Sequence, residues 1–158
     1  MKTSLVLATG SVYKQRIRVW LRLLKVHKFV EAELRTRLRR EFDTTLPRFD
    51  VMSVLYRNRD GLKMSDLSCM LMVSNGNVTG IVDRLALDGL ILREAVPGDR
   101  RAALARMTSK GRAEFERQAT VHEAWVAELL GGLDPDDCDV ALHLLARARI
   151  PDTENTNG

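Results

Sequence analysis

At 158 residues with 45% apolar content, the chain is long enough for one domain with a substantial core, extended by further helices. Two cysteines, Cys69 and Cys138, are too few and too far apart for a disulfide framework and form no CxxC pair, and no apolar run approaches the roughly 20 residues of a bilayer span. The formal charge is only +4, but residues 1–40 carry eleven Lys or Arg against Glu31 and Glu33, net +9, which leaves −5 for the rest; the segment from Glu114 to Asp139 holds eight acids against Arg117.

The first residues, 1–11, read as a separate N-terminal segment. Their apolar run, Leu5 to Ala8, is shorter than a secretory core and Lys14, Arg16 and Arg18 follow closely, so no signal peptide is expected and the cytoplasm is the expected compartment. From about Val12 to Phe42 one long helix is expected, because Ile17, Trp20, Leu21, Leu24, Val30, Leu34, Leu38 and Phe42 keep mostly three- or four-residue spacing. Some 30 helical residues span about 45 Å, more than a domain of this size covers by itself, so part of the stripe is expected to meet another chain.

Thr44, Thr45 and Leu46-Pro47 break that helix and start another, whose Phe49, Met52 and Leu55 should face inward. Asn58 to Gly61 is a turn. Ser65 is then expected to cap a short third helix with Leu67, Cys69, Met70 and Leu71 on its buried side. Ser74 should cap the next helix through its side-chain oxygen, and Val78, Ile81, Val82 and Leu85 mark one buried face that Gly89 terminates. Leu90 to Ala95 and Ala102 to Met107 read as two strands, joined by a turn of Pro97-Gly98-Asp99 with Arg100 and Arg101. Two helices joined by a tight turn, followed by a hairpin, match a winged helix-turn-helix over residues 44–108. A polar helix start beside a hairpin with a basic tip suits two adjacent grooves of a DNA duplex.

After Thr108, helical spacing returns through Phe115, Ala119, His122, Val126 and Leu129 and stops at Gly131-Gly132. Asp134-Pro135 opens a last helix with Val140, Ala141, Leu144, Leu145 and Ala148 as its apolar positions. Residues 12–43 and 109–150 are thus expected to form a helical dimerisation region, and 151–158 a disordered tail. The fold class that follows is mainly α with a small β-wing: a winged helix-turn-helix domain plus N- and C-terminal dimerisation helices.

Val78-Thr79, Val82-Asp83-Arg84-Leu85, Asp88-Gly89-Leu90-Ile91, Arg93, Asp99-Arg100-Arg101 and the run from Leu104 to Gly111 resemble the MarR family of bacterial transcription regulators. The likeness covers about Leu21 to Ala148. It implies a homodimer on a palindromic DNA operator, acting usually as a repressor until a small molecule shifts the lobes apart. It implies that Ser74, Asn75, Asn77 and Thr79 lie against base edges and phosphates of the major groove, where Asn can pair bidentately with adenine. Arg84 would reach a phosphate. Asp99 would brace the wing turn, Arg101 would enter the narrow minor groove, and Arg100 is a phosphate candidate. Gly80 departs from the long polar or basic residue that many relatives carry there, so it is left out of the site.

The resemblance also implies an effector pocket between the first helix and the winged domain, where Trp20, Leu24 and His27 would meet Phe49 and Met52. An aromatic acid fits that setting; with Arg16 and Arg22 as phosphate forks, so does an aryl-coenzyme A thioester. Three other accounts of the basic first helix stay open: a solvated or salt-bridging face opposite the acidic C-terminal helices, general attraction to DNA, and a membrane surface. Cys69 is expected to be buried and inert, and His27, His122 and His143 show no metal-ligand spacing. No nucleophile elbow, phosphate loop or paired carboxylates point to an enzyme, and no cofactor is expected. The alternative from another class is a winged-helix dimer that binds protein without specific DNA binding.

Overall fold

The structure is a computed structural model; it describes residues 2–96 and 98–148 and, among them, the side chains of all but residues 2–10, 100 and 101. Helix α1 (Lys2–Phe42) leads to α2 (Leu46–Arg57), a two-residue strand β1 (Leu62–Lys63), α3 (Met64–Leu71) and α4 (Asn75–Leu87). Strands β2 (Ile91–Val96) and β3 (Asp99–Met107) form the wing, and α5 (Ser109–Leu129) and α6 (Pro135–Ala146) complete the chain. The expected class, mainly α with a small β-wing, is the one adopted. The expected tail, 151–158, lies outside the described residues.

Helix α1 begins at Lys2, ten residues before the expected start. No proline stands in that stretch, and the single Gly10 costs only about 1 kcal/mol in a helix already nucleated by the apolar repeat behind it. Among the described side chains its C-terminal half is the anchored part: Leu34 and Leu38 are buried, while Tyr13, Ile17, Trp20, Leu21 and Phe29 are exposed. Helix α2 starts as expected, with Thr45 accepting from the Arg48 N–H and Pro47 in the first turn.

Helix α3 departs from expectation. Its N-cap is Lys63, and Ser65 lies inside the first turn. Leu67 and Ser68 are its buried residues, whereas Cys69 and Met70 are exposed. Ser68 Oγ donates to the Met64 carbonyl at 3.0 Å, so a serine sits on the inner face without an unsatisfied hydroxyl. The core gathers these elements: Leu34 and Leu38 of α1, Phe49, Val51, Met52 and Leu55 of α2, Leu67 of α3, Val78, Val82 and Leu85 of α4, and Phe115 and Trp125 of α5.

The sheet has the order β1-β3-β2, all antiparallel, with Leu62 opposite Ala105 and Ile91 opposite Met107. Strand β1 was not expected, since two residues are too short to display an alternating pattern. The wing turn is also tighter than expected: Asp99, Arg100 and Arg101 already belong to β3, and the register shifts at Ala95/Val96.

One junction sets how α4, the wing and α5 meet. Gly89 has φ +72°, the left-handed conformation that ends α4 at low steric cost. Thr108 caps α5 by accepting from the Gly111 N–H (2.9 Å), and its own N–H donates to the Leu90 carbonyl (3.0 Å). Its hydroxyl points at the Gly89 carbonyl, 2.8 Å away. Gly111 passes so close to Leu90 that a Cβ on it would stand 2.0 Å from the Leu90 oxygen. Gly80, in contrast, has nothing within 4 Å of an added Cβ.

These two glycines give opposite expectations in urea unfolding at fixed chain concentration. Gly111→Ala must push α5 off the α4–β2 turn and should destabilise by about 2 kcal/mol or more. Gly80→Ala should stabilise by up to about 1 kcal/mol through helix propensity alone. A Gly111→Ala chain with an unshifted midpoint would contradict the close approach.

Candidate nucleic-acid interface

Helix α4 shows one face to the core and the other to solvent, and its solvent face begins with polar residues. Val78, Val82 and Leu85 are buried, whereas Ser74, Asn75 and Asn77 are exposed. Ser74 occupies the N-cap position as expected, and its carbonyl accepts from the Val78 N–H at 3.2 Å. Its side chain, however, makes no capping bond, contrary to expectation. The first-turn N–H groups therefore lack a side-chain acceptor and stay open to solvent or to an anion. Thr79, half-buried, donates its hydroxyl to the Asn75 carbonyl at 2.8 Å, so outward its oxygen can only accept. Arg84 is exposed one turn further on, and no ion pair is found for it among the described residues.

Salt bridges hold the helix to its surroundings. Arg93 of β2 reaches Asp83 at 2.6 Å, Arg48 of α2 pairs with Asp88 at the α4 C-cap, and Lys110 Nζ donates to the Asp88 carbonyl at 2.8 Å. Asp83, Asp88, Arg93 and Lys110 stood in the sequence only as members of the family-like run, and their pairing was not legible because each is distant from its mate in the chain; Lys110 and Asp88 stand 22 residues apart. Asp99 and the backbones of Arg100 and Arg101 lie at the tip of the wing, on β3. The side chains of Arg100 and Arg101 are outside what the structure describes, and Asp99 is exposed.

The expected effector constellation does not assemble within the chain. Arg16, Trp20 and Arg22 are exposed on the part of α1 that lies away from the core, and Leu24 is only half-buried. His27 is exposed and stands 3.4 Å from Glu31 on its own helix. Phe49 instead stacks on His122, ring centroids 4.4 Å apart, and packs against Phe115, while Met52 is fully buried. Burial, opposed by Glu123, holds the His122 imidazole below its ordinary range. Trp20, Leu24 and His27 thus lie too far along α1 to reach the core that takes Phe49 and Met52.

A cavity of about 1030 Å³ opens elsewhere between α1 and the helix-turn-helix. Arg35, Arg39 and Arg40 line its α1 side, Asp50 and Val51 its α2 side, and Asn77 and Ile81 bring in the recognition helix. Arg35 pairs with Glu31 and Arg40 with Glu41, whereas no ion pair is found for Arg39 among the described residues. Burial, with Glu31 adding to it, pushes the Asp50 carboxyl above its ordinary range. Further along α1, Arg37 grips Glu128 of α5 through two nitrogens, at 2.7 and 3.0 Å. The attraction expected between the basic first helix and the acidic C-terminal third is realised at this pair. No cluster of metal-ligating residues and no helix long and apolar enough to cross a membrane occurs among the described residues.

Comparison with known proteins agrees with this geometry. The model of the MarR family matches residues 44–103. A MarR family transcriptional regulator of known structure from Silicibacter pomeroyi is 34% identical, with a TM-score of 0.71 over 84% of this chain and 91% of that one. An uncharacterized HTH-type transcriptional regulator of Bacillus subtilis, YkoM, is 33% identical over 65% of this chain and 66% of its own length. A mutant MarR from E. coli, solved in complex with operator DNA, is 25% identical with a TM-score of 0.73, over 84% of this chain and 94% of that one. The fold, the recognition-helix and wing sequence and these relatives together establish that the chain belongs to the MarR family, a family of transcription regulators and not of enzymes.

Proposed function

We propose that this chain is a ligand-responsive repressor that binds a palindromic DNA operator as a homodimer. The observation that carries the proposal is the rigid coupling of an exposed polar helix start to the wing through Arg93–Asp83 and the Thr108 junction. In this reading Asn75 and Asn77 meet base edges, and Ser74 with the uncapped N–H groups of α4 meets a phosphate. Thr79, able only to accept, faces an adenine or cytosine amino group. Arg84 and Arg100 lie against phosphates, Asp99 braces the wing, and Arg101 enters the minor groove.

A second copy is the partner that α1 and α6 require. Tyr13, Ile17, Trp20, Leu21 and Phe29 on α1 and Val140, Leu142, Leu144 and Leu145 on α6 are each at least 43% exposed, a larger apolar surface than a monomer normally leaves in water. Pairing two chains through these helices sets two recognition helices across a two-fold axis, as a palindrome requires.

For the effector, the cavity beside α1 supports an aromatic acid or its coenzyme A thioester. Val51 and Ile81 offer apolar wall to a ring, and the Arg39 guanidinium offers a fork to a carboxylate or phosphate. Because Asn77 lines the same cavity, a bound acid would touch the helix that reads bases.

Two measurements test the proposal. In a fluorescence-anisotropy titration on DNA from upstream of the gene, at fixed salt, Arg101→Ala should weaken binding several-fold or more while the dimer stays folded. Unchanged affinity would remove the wing from the interface. In calorimetry with a panel of free aromatic acids and their thioesters, one class should bind, and Arg39→Gln should weaken it by about ten-fold, the loss of one charge-assisted hydrogen bond. Binding of neither class would end the effector assignment.

A further inference from the structure

We infer that the N-terminal half of α1 is a second DNA-binding surface, one that takes the phosphate backbone of a further duplex without regard to sequence. A row of cations carries the inference. Lys14, Arg18, Arg22 and Lys25 follow one another at steps of four, four and three, which in a helix stacks them along one face over about 16 Å. All four are exposed, and no ion pair is found for any of them among the described residues. From residue 11 to residue 30 the helix carries no acid; the first is Glu31, whose partners are His27 and Arg35. Like charges one turn apart repel and weaken the helix that bears them, and a polyanion laid along the row reverses the sign of that effect.

The acids of α5 and α6, in the same chain or a second copy, offer no matching row. Glu114 is held by Arg117, Glu116 by Tyr56 and Glu128 by Arg37, while Asp134 and Asp137 cap each other's backbone at the start of α6. Of the others, Asp136 and Asp139 lie within one turn of α6 and Glu123 stands on α5. A bilayer surface fits no better. Trp20 stands two residues from both Arg18 and Arg22, on the far side of the helix, so cations resting on lipid headgroups would turn its ring away from the acyl chains. A DNA duplex supplies an unbroken file of phosphates on a stiff rod, which needs no ordering to lie along a rigid helix. The proposed dimer face around Tyr13, Ile17 and Trp20 points away from the row, so pairing leaves the row in water. The surface is separate from α4 and the wing, and it rests on the operator reading only for its use: with an operator on α4, the row lets one dimer hold two duplexes.

The test is a capture assay with the full chain. Upstream DNA fixed to beads is loaded with the chain, washed, and offered a fluorescent duplex of unrelated sequence at low salt. The wild-type chain should retain the second duplex, and raised salt should release it before the first. The triple variant Lys14→Gln, Arg18→Gln, Lys25→Gln should keep its affinity for upstream DNA within about two-fold and retain at most about a tenth of the second duplex, the loss expected when three phosphate contacts go. Circular dichroism and sedimentation velocity should report it as a folded dimer. No capture by the wild-type chain, or equal capture by the variant, would overturn the inference. So would a variant that sediments as a monomer, which makes the row a contact between copies, or wild-type chain that cosediments with phosphatidylglycerol vesicles and captures no DNA, which gives the row to lipid. A chain that does not load on upstream DNA contradicts the operator reading instead. The row is then judged by retention of the fluorescent duplex on chain held to beads through a tag after Gly158: more on wild type than on the variant supports it, and equal retention or none overturns it.

Discussion

The contact between Gly111 and the Leu90 carbonyl constrains more of this fold than any other. It lets the first turn of α5 rest directly on the chain leaving α4, so α4, the wing and the long helix α5 share one backbone junction. Thr108 fastens that junction twice, as the cap of α5 and through its hydroxyl directed at Gly89. Around it Asp88 collects Arg48 from α2 and Lys110 from α5. A displacement of α5 therefore has a short, stiff route to α4. That is the mechanical requirement for a regulator whose DNA-reading surface answers to events among its long helices.

Charge and apolar surface are distributed unequally over those long helices. Along the C-terminal half of α1 the basic residues find acids: Arg35 on Glu31, Arg37 on Glu33 and Glu128, Arg40 on Glu41. Of these only Arg37 meets an acid of the C-terminal helices, Glu128; the pairs of Arg35 and Arg40 lie within α1, and Arg39 shows no ion pair among the described residues. Among the described residues, the apolar side chains of the N-terminal half of α1 and of α6 stay largely exposed. An isolated protomer would leave these faces in water, which is the physical ground for the proposed dimer.

Elements with a full apolar period were legible in the sequence. Val78, Ile81, Val82 and Leu85 located α4 and its buried face, and Gly89 located its end; Thr45 and Pro47 located the start of α2. What failed was local chemistry overridden by packing. Ser65 and Ser74 looked like side-chain caps, but Ser65 lies within α3 and the Ser74 side chain makes no capping bond. Cys69 looked buried because apolar neighbours flank it, yet Ser68 took the inner position by bonding to its own helix. The effector constellation does not come together within one chain, for a longer-range reason. Helical spacing relates Trp20, Leu24 and His27 to one another, but it says nothing about how far along α1 the winged domain docks, and docking occurs at Leu34 and Leu38. The polar start of α4 was read correctly as exposed, whereas the pairs that brace it, Arg93–Asp83 and Arg48–Asp88, bring together residues whose proximity only the fold creates.

The central claim is that one rigid unit reads two grooves at once, in two copies related by symmetry. Dimethyl sulfate interference on the bound upstream DNA addresses it directly, because the reagent marks guanine N7 in the major groove and adenine N3 in the minor groove. The account predicts interference at both kinds of position, in a two-fold pattern, with major-groove sites flanked on their outer sides by minor-groove sites. Interference confined to one groove, or without two-fold symmetry, would contradict it.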